Sequence, residues 1–443
     1  MSARANPVVR WLAKVACRLF YRLDCVGEVP RAGALILLPN HPNALLDPAV
    51  VWATAGRDVR FLAKSTLFQG PLRPVLKGAG AIPVYRRIDQ GADTSRNAEM
   101  FAAVAAALAE GDAICLFPEG ISHSTGRLEP LRTGAARMTL DAERAGTDVT
   151  LVAVGLNFDR KTTFRSRATV AYGAPFSARD LLPAAEEDHP RAVRLLTDRM
   201  ADHIRMLLIE ADPVADAALV ERVDRLYAAA RGRPRSPEER LTRRQVIAGG
   251  MERLRVRAPD RYDEILMKLR RYDQRLKRFG IRDRHLDWEI TGADAARFAR
   301  REALLMLLLG PLCVAGFVLF AVPYHLTWLA ARWFTRERDV IATAQVVAGS
   351  IVYGLWLAAI AYLAWRLGRF TAALAAGVVV PLLAVAALIA IERQSAVLDT
   401  VRSWFLLRRT HADTRKRLKR HRSELADVLD EVHAWLAADK VAG

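Results

Sequence analysis

Acidic residues are in short supply in this chain. Across 443 residues, 48 Asp and Glu stand against 66 Lys and Arg, a formal net charge of +18. That imbalance suits anionic partners, whether lipid headgroups, phosphorylated ligands or nucleic acid. Nucleic acid is the poorest fit, because the basic residues are spread along the chain without zinc-finger spacing or an RNA-binding aromatic signature. Cysteine is nearly missing as well: Cys17, Cys25, Cys115 and Cys313 make neither a metal pattern nor a disulfide framework. A reduced, cytoplasmic setting follows, and no metal site is expected. Neither a phosphate loop nor a dinucleotide fingerprint occurs, so no cofactor is implied.

Charge is also absent from three long stretches, Ala303 to Ala331, Ile341 to Trp365 and Phe370 to Ile391. Each exceeds the roughly 20 residues needed to cross a hydrocarbon core of about 30 Å. The first is interrupted by Gly310-Pro311 and Pro323-Tyr324-His325, which divide it into pieces too short to span alone. Basic flanks stay cytoplasmic, and Arg332, Arg336, Arg338 and the tail from Arg415 to Arg422 carry them. We therefore expect a re-entrant or interfacial first segment, then two crossings, with a kinked first crossing, three in all and the tail opposite the catalytic domain as the alternative. A transport role is disfavoured by the lack of charges inside the spans. At the N-terminus, Arg10, Lys14, Arg18 and Arg22 alternate with Val9, Trp11, Leu12, Val15, Leu19, Phe20 and Leu23. This is the pattern of a helix lying among lipid headgroups, with a core-packing helix as the competing reading.

Between these regions the pattern changes. Short β-type runs (Ala34 to Leu38, Val59 to Ala63, Ile82 to Val84, Ile114 to Phe117, Thr150 to Leu156, Ala168 to Tyr172) alternate with helical stretches at Arg96 to Glu110 and Gly134 to Ala145. Alternation of this kind predicts an α/β layered domain. Chemistry-bearing residues follow the apolar runs: His41 and Asp47 in Asn40-His41-Pro42-Asn43-Ala44-Leu45-Leu46-Asp47-Pro48, Arg86 after Gly80 to Tyr85, and Glu119 in Phe117-Pro118-Glu119-Gly120. A histidine near a carboxylate at a strand end is one way to present a general base.

These blocks, in this order, resemble the glycerolipid acyltransferases, whose motifs are N-H-x-D, G-x-I-x-V-x-R, F-P-E-G and a V-P-V strand. The fourth reads here Leu151-Val152-Ala153-Val154-Gly155-Leu156-Asn157, with Ala153 at the customary proline. Five residues, where the family has four, separate His41 from Asp47. That spacing, with Phe164-Arg165-Ser166-Arg167, is similar to the fungal-type glycerol-3-phosphate and dihydroxyacetone-phosphate acyltransferases. The extra residue falls between Pro42 and Pro48, which favour a non-helical loop and then a helix from Ala49 to Ala55, so Asp47 either orients His41, caps that helix, or does both.

The resemblance implies acyl transfer from acyl-CoA or acyl carrier protein to glycerol-3-phosphate or 1-acylglycerol-3-phosphate, with the thioester as co-substrate and no cofactor. His41 would be the general base and Asp47 its orienting partner; no cysteine is needed as nucleophile. Lys64, Arg86, Glu119, Gly120 and Arg132 are the substrate-binding candidates. A solvated surface charge is the plainer account of Arg132, and a structural tie that of Glu119. Other acceptors (another lysophospholipid, dihydroxyacetone phosphate) remain open, as does an inactive lipid-binding scaffold, although His41, Asp47, Arg86 and Glu119 are all retained. The expected partners are membrane lipids, the acyl thioester and a phosphorylated glycerol, without nucleic acid. The expected organisation is a membrane-associating helix at 1–30, an acyltransferase domain at 31–215, a charged helical region at 216–301, a transmembrane region at 302–392 and a basic tail at 393–443. The expected location is the cell (inner) membrane, with the catalytic domain cytoplasmic.

Overall fold

The computed structural model describes residues 6–69, 73–85, 97–211, 214–287, 292–335, 340–409 and 412–442. Contacts divide the chain into two units. The first comprises Met1–Ala218, Arg235–Ala248 and Thr335–Val346; the second comprises Leu219–Pro234, Gly249–Phe334 and Val347–Gly443.

The first unit is built on seven strands: β1 (Tyr21–Val26), β2 (Ala34–Pro39), β3 (Val59–Lys64), β4 (Ile82–Val84), β5 (Ala113–Cys115), β6 (Val149–Phe158) and β7 (Ser166–Tyr172). They form one sheet in the order β1-β7-β6-β2-β5-β3-β4. All neighbours are parallel except β6 and β7. Helices α1 (Pro7–Phe20), α2 (Leu46–Thr54), α3 (Arg73–Gly78), α4 (Asn97–Ala109), α5 (Gly134–Arg144), α6 (Leu182–Glu187) and α7 (His189–Arg205) surround it. The expected α/β class is therefore the observed one.

Every residue of β2 is buried, because a parallel central strand is covered on both faces. The period of two then sorts its side chains. Ile36 and Leu38 join Ile114, Leu116, Val104 and Leu196 beneath α4, α5 and α7. Leu35 and Leu37 join Val50, Val51, Cys17 and Phe20 beneath α1 and α2. Two cores on opposite faces thus hold β2 rigidly, and His41 follows its last residue by two positions.

Three expectations are revised here. The N-terminal helix ends at Phe20 and does not include Arg22 and Leu23, which belong to β1. Tyr21 is buried, and β1 gains a parallel ladder with β7 that a longer helix would forgo. The second helix starts at Leu46, not Ala49, so Asp47 lies inside its first turn and is not its N-cap. Lastly, the first apolar segment is not broken at its prolines. Helix α12 (Gly292–Phe334) runs through Pro311 and Pro323, each of which costs one backbone hydrogen bond that long apolar helices tolerate.

The second unit is helical: α8 (Val214–Arg231) and α9 (Pro237–Arg257), both shared between the units, then α10 (Pro259–Phe279), α11 (Asp283–Leu286), α12, α13 (Ile341–Arg409) and α14 (Ala412–Ala442). Three stretches, Gly310–Trp333, Ile341–Gly368 and Phe370–Ala387, are long and apolar enough to cross a membrane, with mean hydropathy 1.7, 2.0 and 2.3. Helix α13 folds back on itself between the last two. Tyr353 stacks on Phe320 at 5.9 Å, and the Leu383 carbonyl oxygen lies 2.8 Å from where a Cβ on Gly316 would stand. Gly316 and Phe320 are one turn apart, whereas a straight helix would separate Tyr353 from Leu383 by about 45 Å. The reversal falls at Gly368, where an added Cβ would overlap the Ala372 side chain, although such positions stand about 5–6 Å apart on a regular helix.

Glycine is required inside β6. A Cβ on Gly155 would strike the Leu207 carbonyl oxygen and come within 2.7 Å of the Leu207 Cβ, at a place where Asn157 Nδ2 already donates to that carbonyl. Gly155→Ala should therefore destabilise the first unit by about 1–3 kcal/mol through overpacking. A denaturation midpoint unchanged from wild type would show that the α7 terminus yields instead.

Candidate active site

Strands β2 and β5 are hydrogen-bonded neighbours, and both end at the same edge of the sheet. From β2 the chain leaves into α2 on one face, and from β5 into α5 on the other. Such a divergence opens a crevice at the carboxyl ends of the strands, where α/β sheets bind ligands. The loop carrying His41 and the turn carrying Glu119 both stand at this crevice.

Within the first loop, Ala44 adopts a left-handed backbone with φ of +44°. Around it Leu46 N–H donates to Asn43 O at 3.1 Å and Asp47 N–H to Ala44 O at 3.3 Å. This tight curl absorbs the five-residue spacing and turns Asp47 back toward His41, whose Nδ1 is 2.8 Å from Asp47 Oδ2. The same oxygen accepts the Asn43 N–H at 2.7 Å. The imidazole stacks on Phe117 with centroids 4.0 Å apart. An Nδ1–H donated to a carboxylate leaves Nε2 with the lone pair that accepts a proton.

Asp47 is fully buried. Burial raises its carboxyl above the ordinary value, while the bond from His41, the Asn43 amide and the Lys161 ammonium pull the other way. A positive charge arising on His41 would compensate this carboxylate where water cannot.

Glu119 is placed differently from the expectation that it binds substrate. Its side chain is 0% exposed. Oε1 accepts the His41 N–H at 2.6 Å, while Oε2 accepts the Glu129 N–H at 2.9 Å and contacts His123 Nε2. Both oxygens are spent on the protein, so Glu119 holds the backbone of His41 and is not open to a ligand. Gly120 likewise serves geometry: its φ is +77°, its N–H closes a turn onto Phe117 O at 3.0 Å, and a Cβ there would press on the Arg132 side chain at 3.2 Å. Arg132 is tied to the same turn through its N–H, which donates to Pro118 O at 2.7 Å, and its side chain lies beside it. Lys64 closes β3, opposite Val84 of β4, at the same sheet edge. Arg86 lies outside the described residues.

Four further residues complete the arrangement and carry no role in the motif-based reading. Asn43 Nδ2 donates to Tyr21 Oη at 2.7 Å, Tyr21 Oη donates to Lys161 O, and Lys161 Nζ donates to Pro42 O at 3.0 Å. His123 N–H donates to His41 O at 3.1 Å. Asn43 lies inside a motif and His123 just past one, but Tyr21 and Lys161 carry no local signal and meet the loop only through folding. Cys17 and Cys115 are buried, which pushes the Cys17 thiol up to about 12 and the Cys115 thiol well above its ordinary value, so neither is a thiolate near neutrality. Among the described residues no cluster could hold a metal ion.

The sequence profile of the acyltransferase family matches residues 22–157, which contain His41, Asp47, Glu119 and His123. Over those residues the chain is similar to the acyltransferase family. It is 27% identical over 183 residues to an uncharacterized acyltransferase of Schizosaccharomyces pombe, covering 40% of this chain and 26% of that one. Glycerol-3-phosphate O-acyltransferases 1 and 2 of Saccharomyces cerevisiae are 31% and 30% identical over 125 and 134 residues, which cover 27% and 30% of this chain. Those stretches are only 16% and 18% of the yeast enzymes, so this chain matches a minor part of each relative's length. The crystal structure of the 1-acyl-sn-glycerophosphate acyltransferase PlsC from Thermotoga maritima aligns at 14% identity and a TM-score of 0.32, over 45% of this chain and 79% of that one.

The burial of Asp47 yields a pH-dependent prediction. A carboxyl raised in the folded state contributes stability that is complete below its unfolded value, about 4, and is lost as pH rises through the folded value. Asp47→Asn removes that loss. The melting temperature of the variant relative to wild type should therefore move upward between about pH 4.5 and pH 8; a downward move would mean that the carboxylate is stabilised by its partners.

Proposed function

We propose that the protein is a membrane-bound O-acyltransferase that moves a fatty acyl chain from acyl-CoA or acyl carrier protein to glycerol-3-phosphate or 1-acylglycerol-3-phosphate. The observation that carries this reading is the His41–Asp47 pair at the sheet-edge crevice, in a segment matching the acyltransferase family. As the acceptor hydroxyl oxygen attacks the thioester carbonyl carbon, its proton passes to His41 Nε2; the C–S bond then breaks, and the proton goes on to the leaving thiolate. Asp47 sets the tautomer and stabilises the imidazolium. The acceptor phosphate is assigned to basic side chains, with Lys64 and Arg132 at this edge, and Arg86 by its place in the sequence motif, as candidates.

Incubating purified protein with an acyl thioester and a panel of phosphorylated and lysophospholipid acceptors tests this directly. His41→Ala should lower transfer by about 10³-fold or more, with the fold retained. Equal transfer by both forms would remove His41 as base, and no transfer to any acceptor would favour a lipid-binding scaffold.

We also infer two membrane crossings, with the catalytic domain, the loop after α12 and the tail on the cytoplasmic side of the cell (inner) membrane. Four contacts support it. Ala342 packs in the core beneath α1 and α2, tying residues just past α12 to the catalytic unit. Arg422 of α14 bonds Asp287 at 2.6 Å and the Asp283 carbonyl at 3.0 Å, and Arg231 of α8 pairs with Asp430 at 2.8 Å, so the tail joins helices that precede α12. An even number of crossings would return the tail to the side of the catalytic domain. The hairpin supplies them, and α12 lies in the interface. Basic residues Arg332, Arg336 and Arg338 suit the cytoplasmic side. In a cysteine-free background, single cysteines at Asp24 and Asp427 should react with an impermeant maleimide from the same face of sealed vesicles. Labelling from opposite faces would require an odd number of crossings.

A further inference from the structure

His123 stands outside the roles assigned so far. Glu119 buries its carboxylate with three donors, of which two are main-chain N–H groups, and the third is His123 Nε2. The same residue's own N–H takes the carbonyl of His41 at 3.1 Å. The peptide units on both sides of His41 therefore hang on the turn from Glu119 to His123. That turn is held in its place from two directions. Thr125 Oγ1 is 2.6 Å from His123 Nδ1, and Lys161 Nζ, which also binds Pro42 O, is 3.5 Å from His123 O.

We propose that His123 is a positioning residue for the general base: it locks the Glu119 carboxylate in the orientation that aligns the backbone of His41, and so aims Nε2 at the acceptor hydroxyl. This rests on the acyltransferase reading above. A direct role in binding the acceptor is disfavoured by geometry, since both ring nitrogens are engaged within the protein and the side chain is only 11% exposed. Without His123 the buried carboxylate would keep only its two main-chain donors and lose the side chain that fixes its rotation, and a displacement of about 1 Å at a reacting group can cost 10²-fold in rate.

The test compares full-length wild type with His123→Leu, His123→Gln and Thr125→Val under steady-state turnover. Glutamine keeps an amide N–H near the position of Nε2; leucine keeps bulk without a donor. His123→Leu should lower kcat roughly 30-fold with acceptor KM unchanged within about twofold, His123→Gln should restore kcat to within about threefold, and Thr125→Val should fall between them. A rise in acceptor KM at constant kcat would make His123 a binding residue and overturn the proposal, as would full activity of His123→Leu. A second measurement needs no turnover. The rate at which diethyl pyrocarbonate modifies His41, followed by peptide mass spectrometry, should change several-fold in His123→Leu and not in His123→Gln. If wild type transfers no acyl group while this difference persists, the functional reading fails and the positioning role stands; identical modification rates in all variants overturn the positioning role alone.

Discussion

Everything at the crevice edge depends on the parallel pairing of β2 with β5. It puts the ends of two strands, far apart in sequence, side by side, and sends the chain away from them on opposite faces of the sheet. A crevice results without any dedicated element to build it. The strand ends are held firmly because both faces of β2 are covered by core, so the loops that follow inherit fixed starting points. Loops positioned by a rigid scaffold are where sites are commonly built.

The two loops are then sewn together by buried polar groups. Glu119 reaches from one to the backbone of the other, His123 returns the contact through its own N–H, and Lys161 caps both from a third loop. Buried carboxylates are costly unless satisfied, and Glu119 has three donors for its two oxygens. Asp47 is the contrasting case. Its burial is compensated mainly by His41 and the Asn43 amide, which leaves its carboxyl raised and makes it responsive to the charge on the imidazole. One acid organises the backbone, and the other is coupled to the imidazole of His41.

The C-terminal half obeys a different solvent. Its apolar segments are legible as such in the sequence, because a helix that faces water seldom runs for more than 20 residues without a charge. Their arrangement is not legible there. The reversal of α13 at Gly368 and the docking of α14 on α10 and α11 depend on side chains such as Arg422 and Asp287, which meet over more than a hundred residues. The prolines at 311 and 323 read as breaks, yet α12 continues through both, since the loss of one backbone bond does not outweigh an otherwise favourable apolar helix.

Taken alone, the sequence determined the α/β class, the order of the motif blocks, the positions of six of the seven strands and the apolar segments, because these follow from local periodicity and composition. It identified His41 and Asp47 as a pair and marked the intervening loop as non-helical. It could not say that Ala44 would turn left-handed to close that loop, that Glu119 would be consumed by backbone donors, or that Tyr21, Lys161 and His123 would bond to the His41 loop and the turn beside it. The amphipathic pattern that continues through Leu23 gives way after Phe20 because a ladder partner, β7, is available 145 residues away. Those outcomes were decided by tertiary structure, for one physical reason: a buried polar group or an edge strand takes its partner from whatever the fold brings within about 3 Å, and sequence separation has no bearing on that distance.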